Sequence, residues 1–304
     1  MQAAGVATAV ERRDTPALYR WLMHGFSYQG ISDAIASTYI ARHGNAQWEQ
    51  IQQALAGQDV RCPKLHGFES YRDCRYRKAA RHCGNPEGLA SCPLPSLPLR
   101  KGSLNEQAYS LFFFLRDRCA GDLVGFIDQL IAAAVDGPDP VTARREALLA
   151  AFGEVNGVSR KLLSMTFAML LIGADPTRRE WVAVGRSMVA IDSLVHNLLY
   201  RTGILAAYGA DHPYGQRCYG QRGCEAVLRD LAERFDARTL NPSYPACFPR
   251  LLQFALWRFC AGHQANICNG RNIPRTEACG LSWCPVWDGC SRLPLQPASN
   301  VEAP

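Results

Sequence analysis

Lysine is almost missing from this chain. Its 304 residues carry 33 basic side chains, and all but Lys64, Lys78, Lys101 and Lys161 are arginine. In a chain that nearly always uses arginine where a fixed cation suffices, Lys161 hints at chemistry that needs an amine able to lose its proton. Long apolar runs are missing too. The longest, residues 162–172, is too short to cross a bilayer and contains polar residues, which excludes a membrane-spanning helix. The opening stretch MQAAGVATAVERRD lacks the apolar segment of a secretion signal. No low-complexity tract and no repeat at a solenoid period is present, so neither a disordered scaffold nor a repeat array fits. These absences predict a cytoplasmic protein with no membrane partner.

Cysteine, by contrast, is abundant, with thirteen in the chain. Disulfides do not persist in a reducing compartment, so clustered cysteines there read as metal ligands. The length allows a sizeable core in one or two domains. A net charge of +6 suits a nucleic-acid partner without demanding one.

The chain is organised around residues 142–203. Asp139-Pro140 reads as a helix start, with Asp as N-cap and Pro in the first turn. Leu148, Leu149, Phe152 and Val155 recur at helical spacing as far as Asn156-Gly157, where glycine takes a positive φ cheaply. A second periodic run follows at once: Leu162, Leu163, Met165, Thr166, Met169 and Leu170. Two helices about a tight glycine turn make a helix-hairpin-helix. The first amides of its second helix lack partners within the helix and sit at the positive end of the dipole. The turn therefore offers a seat to an anion such as a DNA phosphate, although an ordinary helical corner has the same pattern. Arg160 and Lys161 occupy that first turn, where the dipole disfavours positive charge. A further helix is predicted over 175–188, and Asp192 then stands as N-cap of a helix over 193–200 that carries His196, read as a packing residue.

Helices are also predicted over 15–56 and 103–135, with Cys119 in the core. Between them, residues 58–96 lose periodicity and carry Cys62, Cys74, Cys83 and Cys92 among prolines, with His66 and His82 as alternative ligands. A metal, iron–sulfur or zinc, is one way to order such a stretch, and buried free thiols are the other; the lack of C-x-x-C pairs argues against a zinc finger. Phe68, Tyr71, Arg72 and Lys78 in this stretch would suit a nucleic-acid surface. Beyond residue 203 a helix is predicted over 225–235, while Cys218, Cys224 and Cys247 carry no assigned role. Another helix, beginning at Pro249, runs into Cys268, Cys279, Cys284 and Cys290, with Cys260 as an alternative to Cys268. Four thiolates are what a 4Fe-4S cubane needs, one per iron corner, with zinc as the competitor. Residues 293–304 read as a disordered tail.

The string VNGVSRKL, followed by VAIDSLVHNLLYRTG, resembles the signature of the endonuclease III-like helix-hairpin-helix DNA glycosylases. Residues 157–161 correspond to that family's hairpin, with Ser159 where a second glycine is usual. Ile191-Asp192 with Val195 and Arg201 correspond to the segment after it, reached here through about one extra helix. The C-terminal cysteines resemble a stretched form of the family's 4Fe-4S loop in which only the last interval agrees. The family does not carry the insertion 58–96.

The resemblance implies an all-α, two-lobed fold. Residues 1–20 and 190–292 would form the lobe with the iron–sulfur loop, and residues 21–189 the helical barrel with the hairpin at about 142–172. It implies a monomeric, nucleoid-associated base-excision-repair enzyme acting on double-stranded DNA with a damaged base or abasic site. Gln29 would fill the hole left by the flipped base, and Gly157, Ser159, Arg160 and Arg201 would contact DNA. Asp192 would stabilise oxocarbenium character on the sugar. Lys161 would attack C1′ as a neutral amine, giving a Schiff base and an AP lyase step, or would contact a phosphate. A lysine there favours the oxidised-base branch of the family. Two other readings stand beside it: a non-catalytic DNA-binding iron–sulfur protein that senses redox state, and a monofunctional glycosylase.

Overall fold

A computed structural model describes residues 3–28, 30–31, 33–56, 62–74, 76–77, 82–83, 104–134 and 139–296. The regular structure of the described residues is helical, as the periodicity predicts. The helices are α1 Ala3–Glu11, α2 Thr15–Phe26, α3 Asp33–His43, α4 Trp48–Ala56, α5 Phe68–Arg72, α6 Asn105–Phe113, α7 Leu123–Ala133, α8 Pro140–Gly153, α9 Arg160–Gly173, α10 Arg179–Ser187, α11 Ser193–Arg201, α12 Ile204–Ala207, α13 Cys224–Glu233 and α14 Pro249–Cys260. Extended pairing among the described residues is confined to a two-residue antiparallel ladder, β1 Tyr76–Arg77 with β2 His82–Cys83, in the register Tyr76↔Cys83. No helix in the described residues is long and apolar enough to cross a membrane. The chain divides into two compact units, Met1–Gly185 and Arg186–Pro304.

The first unit is built on aromatic rings. Phe114 meets Phe68 at 5.1 Å, Phe152 at 4.8 Å and Phe126 at 5.7 Å between ring centroids, and Phe152 meets Phe167 at 4.5 Å. Phe68 and Tyr71 are each 1% exposed, so these two rings are core and not a nucleic-acid surface as expected. Arg72 beside them pairs with Glu154 at 3.3 Å. Cys119 is buried, as predicted. The N-cap of α2 is Asp14, whose carboxylate accepts from Ala17 N at 2.9 Å; the Thr15 hydroxyl instead accepts from Leu123 N at 3.1 Å. α1, which the sequence does not announce, buries Val6, Ala9 and Val10 and packs on α2 and α9. Residues 3–20 therefore belong to the first unit and not to the cysteine-bearing one that the resemblance implies for them.

In the second unit α11 packs on α12 and α14, and α13 packs on α14. The core between them is aliphatic: Val189, Ile191, Val195, Leu199, Leu205 and Leu228, with Cys218, Cys224 and Cys260. Residues 261–296 contain no helix. The first four residues of the predicted tail are not loose. Leu293 N donates to Arg201 O at 2.9 Å and Gln296 N to Arg275 O at 3.0 Å. Residues 297–304 lie outside the described residues.

Candidate metal centre and hairpin

The hairpin forms where the sequence places it. Asp139 accepts from Thr142 N at 3.1 Å and starts α8 with Pro140 in its first turn. The turn reverses at Gly157 with φ +71°, the region open to glycine at little cost. Ser110 Oγ accepts from Asn156 N at 2.9 Å, and the Gln107 amide donates to the Gly157 carbonyl. Ser159, standing where the resembling family has glycine, adopts extended backbone and caps α9 by accepting from Leu162 N at 3.4 Å.

Arg160 and Lys161 then part company. The Arg160 guanidinium lies on Glu146 of α8 in a two-pronged contact, at 2.7 and 2.8 Å. Burial pushes the Glu146 carboxyl up, but hydrogen bonds and charge from Arg160 and Arg145 outweigh it and hold the group below the ordinary glutamate range. Arg160 is thus a clasp across the hairpin. Glu146 also supplies the negative charge that makes a cation tolerable at this helix start. Lys161, half-buried in the same turn, has no ion pair or hydrogen bond among the described residues.

Asp192, in the second unit, caps α11 as its position predicts, accepting from Val195 N at 2.9 Å. The residue before it is gripped by Tyr219, whose hydroxyl accepts from Ile191 N at 3.0 Å and donates to Ile191 O at 3.2 Å.

One turn into α11 lies a group that the sequence leaves without a role. His196, His212, Cys218 and Cys224 are all buried, and their ligand atoms all lie within 4.8 Å of one another, so the group can hold a metal ion. His196 comes from α11, His212 from the loop after α12, Cys218 from a short 3-10 turn at Gln216–Tyr219, and Cys224 from the first residue of α13. His196 Nδ1 stands 3.3 Å from Cys224 Sγ and 3.6 Å from Cys218 Sγ; His212 Nε2 stands 3.5 Å from Cys224 Sγ. His212 Nδ1 lies 2.6 Å from Ala210 O, a contact only N–H can make favourably, so Nε2 keeps its lone pair toward the sulfurs. The two sulfurs can meet because residue 223 has no side chain: a Cβ there would fall 2.2 Å from the Arg217 carbonyl oxygen. The hydrogen bond from Cys224, with further ones from His196 and His212, holds the Cys218 thiol well below the ordinary range despite burial. Cys224 is pushed up by that same neighbour and by burial.

The C-terminal cysteines make a second convergence. Cys268, Cys279, Cys284 and Cys290 line one small cavity of about 20 Å³, together with Leu198 and Ile273. Cys260, the alternative ligand, is fully buried in the aliphatic core and does not line it. Arg201 is 2% exposed beside the four cysteines. Its guanidinium donates to Pro274 O at 3.0 Å, Leu293 O at 3.2 Å and Glu277 O at 3.3 Å. Burial lowers its pKa, against the attraction of Cys268, Cys279 and Cys290. Arg201 therefore ties down the cysteine loop and leaves no face for DNA, which corrects the role expected of it.

Of the other expected site residues, Gln29 and Cys92 lie outside the described residues, as does the side chain of Cys83. Cys62 is buried and Cys74 half-buried. Comparison with protein-family models, with curated proteins and with solved structures returns no match to this chain.

Proposed function

We propose that this protein is a base-excision DNA glycosylase of the two-lobed helix-hairpin-helix type, acting on an oxidised base and cutting the strand through Lys161. The observation that supports it most is the hairpin α8–α9: a glycine turn at positive φ, a capped second helix, and a first-turn lysine with no partner among the described residues while its arginine neighbour is neutralised. A lysine amine, unlike a guanidinium, can give up its proton and then serve as a nucleophile. Lys161 Nζ attacks C1′, the N-glycosidic bond breaks, and the base leaves with the bonding electrons. Loss of a proton from nitrogen and ring opening give the Schiff base. Removal of a C2′ proton then expels the 3′ phosphate. Asp192 stabilises positive charge on the sugar as the base departs.

Cys268, Cys279, Cys284 and Cys290 match a 4Fe-4S cluster in donor type and number, line one cavity, and are the residues that would hold it. Bound there, the cluster would order residues 261–296, which have no helix of their own.

Borohydride trapping on an abasic-site duplex tests the reading. The wild type is expected to give a covalent adduct and Lys161→Ala none. Base release without an adduct would make the enzyme monofunctional. Binding of the duplex with neither adduct nor free base would leave a non-catalytic DNA-binding protein.

A further inference from the structure

The glycosylase reading makes no use of His196, His212, Cys218 and Cys224. We infer that these four side chains bind one zinc ion as a closed structural centre that clamps α11, α13 and the loop between them. Their chemistry selects the ion. Two imidazoles and two thiols around one point form the S₂N₂ set that favours tetrahedral zinc; a blue-copper site would need a trigonal His₂Cys set with a weak axial ligand.

Spacing agrees with composition. Bonds of about 2.3 Å to sulfur and about 2.0–2.1 Å to nitrogen in a tetrahedron place N and S about 3.5 Å apart. Three of the four N···S separations are 3.3, 3.5 and 3.6 Å, and the fourth lies within 4.8 Å. A Rieske-type two-iron cluster uses the same four residue types, but with both histidines on one iron and both cysteines on the other. Here His196 Nδ1 lies within 3.6 Å of both sulfurs, the arrangement around a single centre.

The second layer is also in place. Ala210 O fixes the tautomer of His212 so that Nε2 faces inward. All four ligands are at most 8% exposed, so four protein ligands saturate the ion and no position opens to substrate. The role is therefore mechanical. The ion ties the second turn of α11 to the start of α13, and Tyr219, adjoining the ligand Cys218, holds the backbone just before Asp192 from the other side. Tyr214 lies against the ring of the ligand His196, with centroids 5.7 Å apart.

Metal analysis of the purified full chain tests this without DNA. One zinc per chain is expected to disappear in Cys218→Ala and in Cys224→Ala and to remain in Cys247→Ala, whose cysteine is exposed. Zinc retained in full in Cys224→Ala, or iron lost in place of zinc, would overturn the proposal. Should the alanine variants fail to fold, cobalt exchange into the wild type decides. Tetrahedral d–d bands with thiolate charge transfer, which zinc abolishes on addition, are expected; an octahedral cobalt spectrum would sink the idea. Because neither readout involves catalysis, loss of this proposal leaves the glycosylase reading standing, and the reverse also holds.

Discussion

The first unit completely buries rings such as Tyr19, Phe26, Phe113, Phe152 and Phe167, and the largest fully buried side chains of the described residues all lie in it. The second unit buries valine, isoleucine, leucine, alanine and cysteine, and leaves residues 261–296 without a helix. A buried aromatic removes ~150–250 Å² from water, so a unit without them forgoes several kcal/mol per missing ring at about 25 cal/mol per Å². Two convergent sets of side chains, both proposed above to hold metal, and a buried guanidinium lie where that surface is missing. With the metal sites proposed above, one chain orders two units by different means: ring packing in one, ligand geometry in the other. Small cores with poor burial commonly depend on such staples.

The harshest way to break the comparison is to strip metal. Dialysis against a strong chelator under reducing conditions should collapse hydrogen-exchange protection across 186–296 and leave 3–185 protected, since structural zinc alone contributes about 10–16 kcal/mol at neutral pH in small domains. Both units melting together would refute the division. The opposite experiment is Phe152→Ala, expected to lower the stability of the first unit by about 3–5 kcal/mol while metal content stays unchanged.

Arg201 sharpens the contrast within the second unit. Arg201→Ala strands three carbonyls, and hydrogen bonds to charged groups contribute about 1.5–3 kcal/mol each, so exchange across 274–296 should accelerate and bound metal fall. Arg201→Lys should not restore it, since one ammonium cannot reproduce the planar fork. A DNA-contacting arginine would instead shallow the salt dependence of binding with the loop intact.

The smallest effect belongs to the hairpin clasp. Glu146→Gln should lower stability by ~0.5–1 kcal/mol, as for other partly exposed pairs. The folded Glu146 carboxyl is depressed, so its contribution is full above the unfolded value of about 4.3 and is lost as pH falls through the depressed one. Urea melts of wild type and variant should differ at pH 7 and converge in acid.

Local chemistry was legible where it is local. Asp139-Pro140, Gly157 and Asp192 perform in the structure the backbone tasks that their types predict, because caps and turns are settled within four residues. The cysteines after α14 were legible as a group because they crowd into one short segment. The His/Cys centre was not, since its ligands come from a helix, a loop, a 3-10 turn and a helix start, with no C-x-x-C pair to announce them. Its one trace is the even six-residue interval from His212 to Cys218 to Cys224. Arg201 and Tyr71 misled for a shared reason. A charge in a helix's last turn, or a ring among arginines, reads as surface until distant chain covers it, and only tertiary packing reveals that cover.

All four ligands of the His/Cys centre lie between residues 196 and 224, whereas the cysteines of the C-terminal loop begin at 268. During synthesis the earlier set is complete while the later one is still inside the ribosome. Zinc can therefore knot the nascent second unit before the thiolates of the proposed C-terminal iron–sulfur loop emerge. The order of translation would then sort two metals among cysteines that, in a finished but unfolded chain, would compete for both.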